Sequence, residues 1–168
     1  ALAIMTDCEA FVLENCGLDN DTMATIRAEY PRTELVWKIQ FGKYSAWTNT
    51  DTIRAVYNVF DDTCGNLKYC WKTKYMDIGH NETMTDLSFV GYMPDLEILI
   101  ASGCAVKQLP EGIGNCKKLE FLELAYCYKL ESVDPLAGCE GLKNLNICYS
   151  KVSDLKALDG LPLEQFMC

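Results

Sequence analysis

The sequence is poor in the residues that most catalytic and metal sites need. It contains a single histidine, His80, and no pair of cysteines at the Cys-x-x-Cys spacing typical of zinc sites. It also lacks a GxGxxG phosphate motif and the calcium loop of alternating aspartates with a distal glutamate. His80 resembles a residue at the edge of a repeat. We therefore expect a protein that is not an enzyme and has no cofactor and no metal site.

Basic charge and long apolar runs are also scarce. The 168 residues include 15 Lys and Arg against 24 Asp and Glu, which gives a net charge of −9. Nucleic acid and anionic membranes repel such a chain, so we expect neither as a partner. No apolar run approaches the ~20 residues that span a bilayer, so we expect no direct membrane insertion. A hydrophobic content of 49% instead indicates a folded domain.

One pattern recurs in the chain at a step of 23 residues. Its first copy is Thr73-x-x-Met76-x-Ile78-x-x-Asn81, and equivalent copies begin at Leu96, Leu119 and Leu142. An unfinished copy begins at Leu163, 21 residues after the last of these. This is the leucine-rich-repeat signature, in which each copy supplies one short strand and one return segment. A unit this small cannot bury its own apolar face, so the copies must stack. We predict an α/β solenoid with one parallel β-sheet on the concave side and short helical or irregular convex segments.

The stretch from "LKYC" through "YMDIGHN" to the end resembles bacterial surface leucine-rich-repeat proteins, which are internalin-like and abundant in gut bacteria. The likeness extends upstream to "VWKIQFGKYS". The resemblance implies a location at the cell surface or outside the cell, and non-catalytic binding of a protein or glycan partner. The alternative function is a structural spacer or assembly module of a larger surface protein. A third is the targeting arm of a hydrolase carried elsewhere in a longer chain.

Five of the ten cysteines follow the repeat. Cys70, Cys116 and Cys139 each lie three residues before a copy begins, while Cys104 and Cys127 take the place that Asn81 holds in the first copy. Because that place normally carries a small polar residue that satisfies neighbouring backbone, we predict buried free thiols. Free thiols also fit a reducing cytoplasm or an anaerobic habitat, so a cytoplasmic location stays open. Adjacent strands stand about 4.8 Å apart, which leaves a Cys104–Cys127 bridge geometrically open.

Residues 1–72 carry the pattern irregularly. We predict strands at 10–13 and 35–41, with Cys16 repeating the buried role in an upstream copy that starts at Cys8. Asp21-Thr22 could cap a helix that carries Met23, Ile26 and Tyr30 at helical spacing and stops at Pro31.

The stretch before the regular copies is harder to assign. Residues 42–50 are polar and turn-like, and a second helix capped by Thr50 or Asp51 would carry Ile53, Val56 and Phe60. From Glu34 to Thr73 is too long for one turn, so we interpret 42–66 as an insertion or an enlarged turn. The chain then divides into irregular N-terminal repeats at 1–72 and regular repeats at 73–168.

The strands predict a binding surface, because alternate side chains of a strand point to opposite faces. The residues expected to face outward form two columns: Tyr75, Ile98, Phe121, Asn144 and Gln165, then Asp77, Ile100, Glu123, Asn146 and Met167. Ile98, Ile100 and Phe121 would form an apolar patch, with His80, Tyr126 and Tyr149 just beyond the strands. Aromatic anchors with a polar surround are typical of protein-binding surfaces. The alternative is that the inserted segment or a missing neighbour covers the patch.

The unfinished last copy predicts an uncapped end. Leu163 and Phe166 have no following turn to cover them, although solenoids need terminal turns with a polar outer face. We expect either that the native protein continues past Cys168 and the repeats are truncated here, or that this end associates with another copy of the chain.

Overall fold

The computed structural model describes residues 8–168, so the first seven residues of the predicted 1–72 part lie outside the described residues. A three-stranded sheet comes first and is formed by β1 (Ala10–Leu13), β2 (Glu34–Phe41) and β3 (Tyr44–Trp47). Helix α1 (Asn20–Glu29) connects β1 to β2, which pair in parallel. The short helix α2 (Asp61–Cys64) lies farther along the chain.

A six-stranded parallel sheet forms the rest of the molecule. Its strands follow one another in chain order: β4 (Thr52–Arg54), β5 (Tyr75–Asp77), β6 (Ile98–Ile100), β7 (Phe121–Glu123), β8 (Asn144–Asn146) and β9 (Gln165–Met167). In register, Met76 pairs with Leu99, Leu99 with Leu122, and Leu122 with Leu145. The 23-residue step therefore places the same repeat position of successive copies side by side.

Each turn returns through a short 3₁₀ helix on the side away from this sheet. These helices are Gly65–Tyr69, Ser88–Tyr92, Glu111–Asn115, Asp134–Gly138 and Lys156–Leu158. Successive returns pack closely, and a Cβ added to Gly138 would lie 2.8 Å from the Cα of Gly114. Sheet and returns together give the predicted leucine-rich-repeat solenoid.

The core lies between the sheet and the 3₁₀ returns, at the positions that the repeat pattern assigns to it. Those predicted core residues are all at most 2% exposed: Leu96, Leu99, Leu119, Leu122, Leu124, Leu142, Leu145 and Ile147. They belong to one continuous apolar cluster that also takes in Trp37 and Phe41 of β2. The cluster therefore joins the N-terminal sheet to the repeats.

The cysteines on the repeat grid are buried and unbridged within residues 8–168, as predicted. The Sγ atoms of Cys104 and Cys127 lie 3.5 Å and 3.3 Å from the carbonyl oxygens of Ile78 and Ala101, one turn upstream. Cys16, however, is exposed, so the prediction that it repeats this buried role is wrong. The turn Asn15–Gly17 around it has positive φ at Asn15 and Gly17, and residues 14–19 are all exposed.

The N-terminal predictions are only partly correct. Helix α1 and the two predicted strands are present, but Asp19 rather than Asp21 caps the helix, accepting a hydrogen bond from the Thr22 N–H at 2.7 Å. The turn predicted at 42–50 is present only at 42–43 and 48–49, because β3 between them pairs with β2 as an antiparallel hairpin.

The predicted second helix is wrong as well. Ile53 lies in strand β4, which pairs in parallel with β5. The Ile53 side chain is buried in the core. Thr50-x-x-Ile53-x-Ala55-x-x-Asn58 is thus a further copy of the pattern, 23 residues before Thr73. The segment 42–66, interpreted as an insertion, contains a strand of the repeat sheet. The division of the chain at residue 72 stays a prediction.

Candidate binding surface

The two predicted outward columns lie side by side on the six-stranded sheet. Tyr75 pairs with Ile98, Ile98 with Phe121, and Phe121 with Asn144, and the second column continues in the same way from Asp77 to Met167. These side chains are partly exposed, while the residue between them in each of β5 to β8 is buried. The structure thus brings together the residues that the sequence assigned to this face.

The apolar patch is formed by Ile98, Ile100 and Phe121 on two neighbouring strands. Residues 42–66 were the candidate cover for this patch. They are instead built into the two sheets as parts of β3 and β4 and into the returns as α2 and the start of the next 3₁₀ helix. The three side chains keep part of their surface exposed.

Polar side chains of the second column are held in fixed orientations. Glu123 Oε1 accepts hydrogen bonds from Ser102 Oγ at 3.1 Å and from the Ala125 N–H at 3.3 Å. Its Oε2 accepts from Asn146 Nδ2 at 3.1 Å, and Asp77 Oδ1 accepts from the Gly79 N–H at 3.1 Å. Such bonds orient a side chain before a partner arrives, which lowers the entropic cost of binding.

A third column runs beside the sheet, where each strand gives way to the turn. It contains the residues at one repeat position, all with positive φ: Tyr57 (66°), His80 (58°), Gly103 (69°), Tyr126 (61°) and Tyr149 (62°). The N–H groups of His80, Gly103 and Tyr126 donate to carbonyls of the following turn at 2.7–2.8 Å. The column is therefore locked to the solenoid turn by turn.

Most of the rings in this third column stack on one another. The ring centroids of Tyr126 and Tyr149 are 4.8 Å apart with 9° between the planes, and those of Tyr57 and His80 are 5.4 Å apart with 25°. Sequence reasoning found His80, Tyr126 and Tyr149 but missed Tyr57 and Gly103. Extending the 23-residue step upstream and downstream from His80 would have found both.

The turn of Gly103 leaves a cleft of about 550 Å³ in the third column. His80 and Tyr126 stand on its two sides, Cys104 and Ala105 line its floor, and Tyr128 lies at its edge. Glu82 and Lys129 also line it. A volume of this size suits a side chain or a small molecule.

Cys104 beside His80 does not have the properties of an activated nucleophile. Burial raises the pKa of the Cys104 thiol to about 12, and its Sγ is engaged with the Ile78 carbonyl. A thiol with that pKa is almost wholly protonated near neutral pH and reacts poorly. In the described part of the chain, no group of three or more His, Cys, Asp or Glu residues is placed to hold a metal ion.

Comparison with known proteins places this geometry among leucine-rich-repeat structures. The solved structure of internalin C2 from Listeria monocytogenes superposes with a TM-score of 0.55 at 20% identity, over 70% of this chain and 47% of that one. The Arabidopsis receptor kinase HAESA, solved with the peptide hormone IDA and the co-receptor SERK1, gives 0.55 at 15% identity, over 85% and 22%. The chain is a leucine-rich-repeat solenoid. At these identities the likeness concerns the fold alone.

A sequence relative is found in plants. A probable disease resistance protein of Arabidopsis thaliana is 32% identical over 87 residues, which are 51% of this chain and 11% of that protein. The chain thus spans about a tenth of this relative and about half of the internalin chain. No family model matches the sequence. Within residues 8–168, no helix is long and apolar enough to cross a membrane.

Proposed function

We propose that this solenoid is a non-catalytic binding module whose concave sheet recognises a protein partner. One observation carries the proposal: the apolar patch of Ile98, Ile100 and Phe121 is partly exposed and bordered by polar side chains in fixed orientations. Apolar anchors surrounded by preoriented polar groups are what protein interfaces use. The remaining predicted contacts are Tyr75, Asp77, Glu123, Asn144, Asn146, Tyr126 and Tyr149.

The neighbouring structures support a protein or peptide rather than a glycan as the partner. HAESA was solved with a peptide hormone and a co-receptor. Because the likeness to HAESA is one of fold, the partner class is our inference and not a property carried over. We also propose an internalin-like setting, at the surface of a bacterial cell or secreted from it, as the sequence resemblance implies.

The test compares partner capture by matched surface variants. The concave variant carries Ile98→Ser, Ile100→Ser and Phe121→Ser, and the control carries Tyr92→Ser on a 3₁₀ return, where that side chain is exposed. Both are checked for folding by circular dichroism before affinity capture and mass spectrometry. We expect the concave variant alone to lose the proteins that the wild type retains. Equal recovery by all three proteins would favour the structural role.

Self-association through the last strand is a second proposal. Phe166 and Met167 of β9 are 38% and 45% exposed, and β9 borders the sheet. A bordering strand with exposed apolar side chains can pair with another chain. Light scattering on the 168-residue chain should then show a concentration-dependent increase in mass, which Phe166→Lys would suppress. A monomer at every concentration would rule out this contact.

A further inference from the structure

The stacked rings of the third column are interrupted at one place. His80 and Tyr126 stand on either side of Gly103, and each already stacks on its other neighbour, Tyr57 or Tyr149. Gly103 has the same left-handed backbone as these four residues but carries no side chain. The cleft of about 550 Å³ lies at this position.

The space between the rings of His80 and Tyr126 has room for one more aromatic ring. Rings one turn apart in this column have centroids 4.8 Å and 5.4 Å apart. A planar ring at the Gly103 turn would lie one turn from both His80 and Tyr126, and thus within the ~4.5–7 Å range of aromatic pairs. Space is available, because a Cβ added to Gly103 would find its nearest atom, Nδ1 of His80, at 3.6 Å.

The floor and edge of the cleft favour an aromatic ring over a sugar. Cys104 and Ala105 are buried beneath it, and the Cys104 thiol is already engaged with the Ile78 carbonyl. Tyr128 stands edge-on to Tyr126, with centroids 6.2 Å apart. A sugar needs several hydrogen-bonding groups for its hydroxyls. Glu82 and Lys129 of the lining are exposed, and the buried part of the lining offers only a methyl group and a bonded thiol.

The charges beside the cleft favour a cationic ligand. Glu82 and Lys129, which both line the cleft, carry opposite charges, so the carboxylates on the adjoining strands decide the sign of the field. Asp77 and Glu123 lie on the strands that flank Ile100, and Glu123 bonds to Ser102, the residue before Gly103. Within residues 8–168, neither carboxylate forms a salt bridge with a lysine or arginine. The whole chain carries a net charge of −9. A basic group next to the ligand ring would complement this field.

We propose that the gap at Gly103 is a slot for a planar aromatic side chain of a peptide partner, with a lysine or arginine next to it in that peptide. The slot adjoins the apolar patch, since Gly103 follows three residues after Ile100. This inference rests on the proposed function, because it names the chemistry of the partner that the concave sheet would bind.

The test uses tryptamine as a cationic aromatic probe and indole-3-acetate as its anionic counterpart. Binding is followed by the chemical shift of the Gly103 backbone amide during titration. In the Gly103→Tyr variant the chain fills the slot with its own ring, which the backbone allows because Tyr57, Tyr126 and Tyr149 adopt the same conformation. Gly103→Ala is the matched control, since it changes the same residue but leaves the slot open.

We expect tryptamine to bind the wild type with a dissociation constant in the millimolar range and indole-3-acetate to bind about tenfold more weakly. Gly103→Tyr should abolish binding while remaining folded, and Gly103→Ala should retain it. The proposed slot would be ruled out if Gly103→Tyr bound tryptamine as well as the wild type does. It would also be ruled out if the wild type did not bind tryptamine. Binding of methyl glucoside in place of tryptamine would overturn the choice of ligand. Partner capture that still depends on Ile98, Ile100 and Phe121 would then leave the proposed function standing.

Discussion

At the scale of single residues, one small side chain in each of three successive turns satisfies a backbone carbonyl of the turn before it. Asn81 Nδ2 donates to the Ala55 carbonyl at 3.0 Å, and Cys104 and Cys127 offer their thiols to equivalent carbonyls one and two turns later. Cysteine can replace asparagine here because the site needs a compact donor in an apolar surrounding. The repeat grid therefore predicted the burial of these thiols without any structure.

The first prediction concerns the reactivity of these thiols. Cys104, Cys116, Cys127 and Cys139 should resist iodoacetamide in the folded protein at neutral pH and react after denaturation, because they are buried and protonated. The exposed Cys16 and Cys168 supply the internal control and should react at once. Peptide mass spectrometry reads out each site. A disulfide among the four buried cysteines would disprove the prediction and move the protein to an oxidising compartment.

The second prediction follows from the raised pKa of a buried thiol. Burial raises the pKa of Cys116 from its ordinary 9.0 to about 12. Below pH 9 the thiol is protonated in both states, so its contribution to stability is fully present. As the pH rises from 9 towards 12, the unfolded chain alone releases the proton, and the free energy of unfolding falls by about 1.4 kcal/mol per pH unit for each such group.

Urea unfolding between pH 8 and pH 11, with reductant present, measures this loss. The Cys116→Ala variant is less stable at every pH, but its stability should fall less steeply above pH 9 than that of the wild type. Parallel curves for the two proteins would show that the Cys116 thiol does not titrate with unfolding.

At the scale of elements, the sequence predicted the regular turns well and the turn before them badly. The copies from Leu96 to Ile147 carry leucine at most inward positions, so their period is unambiguous. In the copy that starts at Thr50, Ala55 is a weak apolar signal, while Ile53, Val56 and Phe60 imitate helical spacing. Residues 52–54 nevertheless form a strand, because they pair with β5. Such tertiary pairing overrides local propensity.

The candidate binding surface was likewise predictable from the sequence only in part. The outward columns followed from the alternation of a strand, so Ile98 and Phe121 could be placed from sequence. His80, Tyr126 and Tyr149 of the third column were also placed from sequence, but their backbone conformation was not, because tyrosine and histidine with positive φ are uncommon and no local pattern predicts them. The defining feature of this column is the absence of a side chain at Gly103, which becomes a cleft only when His80 and Tyr126 are stacked on either side.

The third prediction concerns Asn81, which joins the turn missed from sequence to the regular ones. Besides its bond to Ala55, its Oδ1 accepts from the Val59 N–H at 2.8 Å and its Nδ2 donates to the Ile78 carbonyl at 2.7 Å. Asn81→Ala removes the partner of the Val59 N–H and of the Ala55 carbonyl and leaves the Ile78 carbonyl with the Cys104 thiol. The variant should therefore cost about 2–4 kcal/mol in chemical unfolding. Asn81→Cys should cost less, since a thiol serves at the equivalent places. Equal losses would mean that the thiol cannot stand in for the amide here.

At the scale of the whole molecule, stability comes from stacking rather than from any single turn. Met76, Leu99, Leu122 and Leu145 form an unbroken inward row, all at most 1% exposed. The ion pairs that link successive turns, such as Lys118–Asp95 and Lys143–Glu120, lie at the surface and add little. A cavity in the middle of the row therefore weakens the packing of the turns on both sides.

The fourth prediction tests this stacked core. Leu122→Ala should lower the free energy of unfolding by about 2–5 kcal/mol, because the turns on both sides prevent the core from closing around the hole. Leu155→Ala is the matched control and should cost far less, since Leu155 is exposed. Denaturant unfolding compares the two variants. Similar losses from both would contradict the assignment of inward and outward positions.

The central claim is that partners bind the concave sheet, and site-specific photo-cross-linking tests it most directly. Benzoylphenylalanine replaces Phe121 on the sheet or, in a second protein, the exposed Tyr92 on a 3₁₀ return. Irradiation with proteins captured by the wild type should give a covalent adduct from position 121 and none above background from position 92. Adducts from position 92 with none from position 121 would contradict the account and move the binding surface to the convex side.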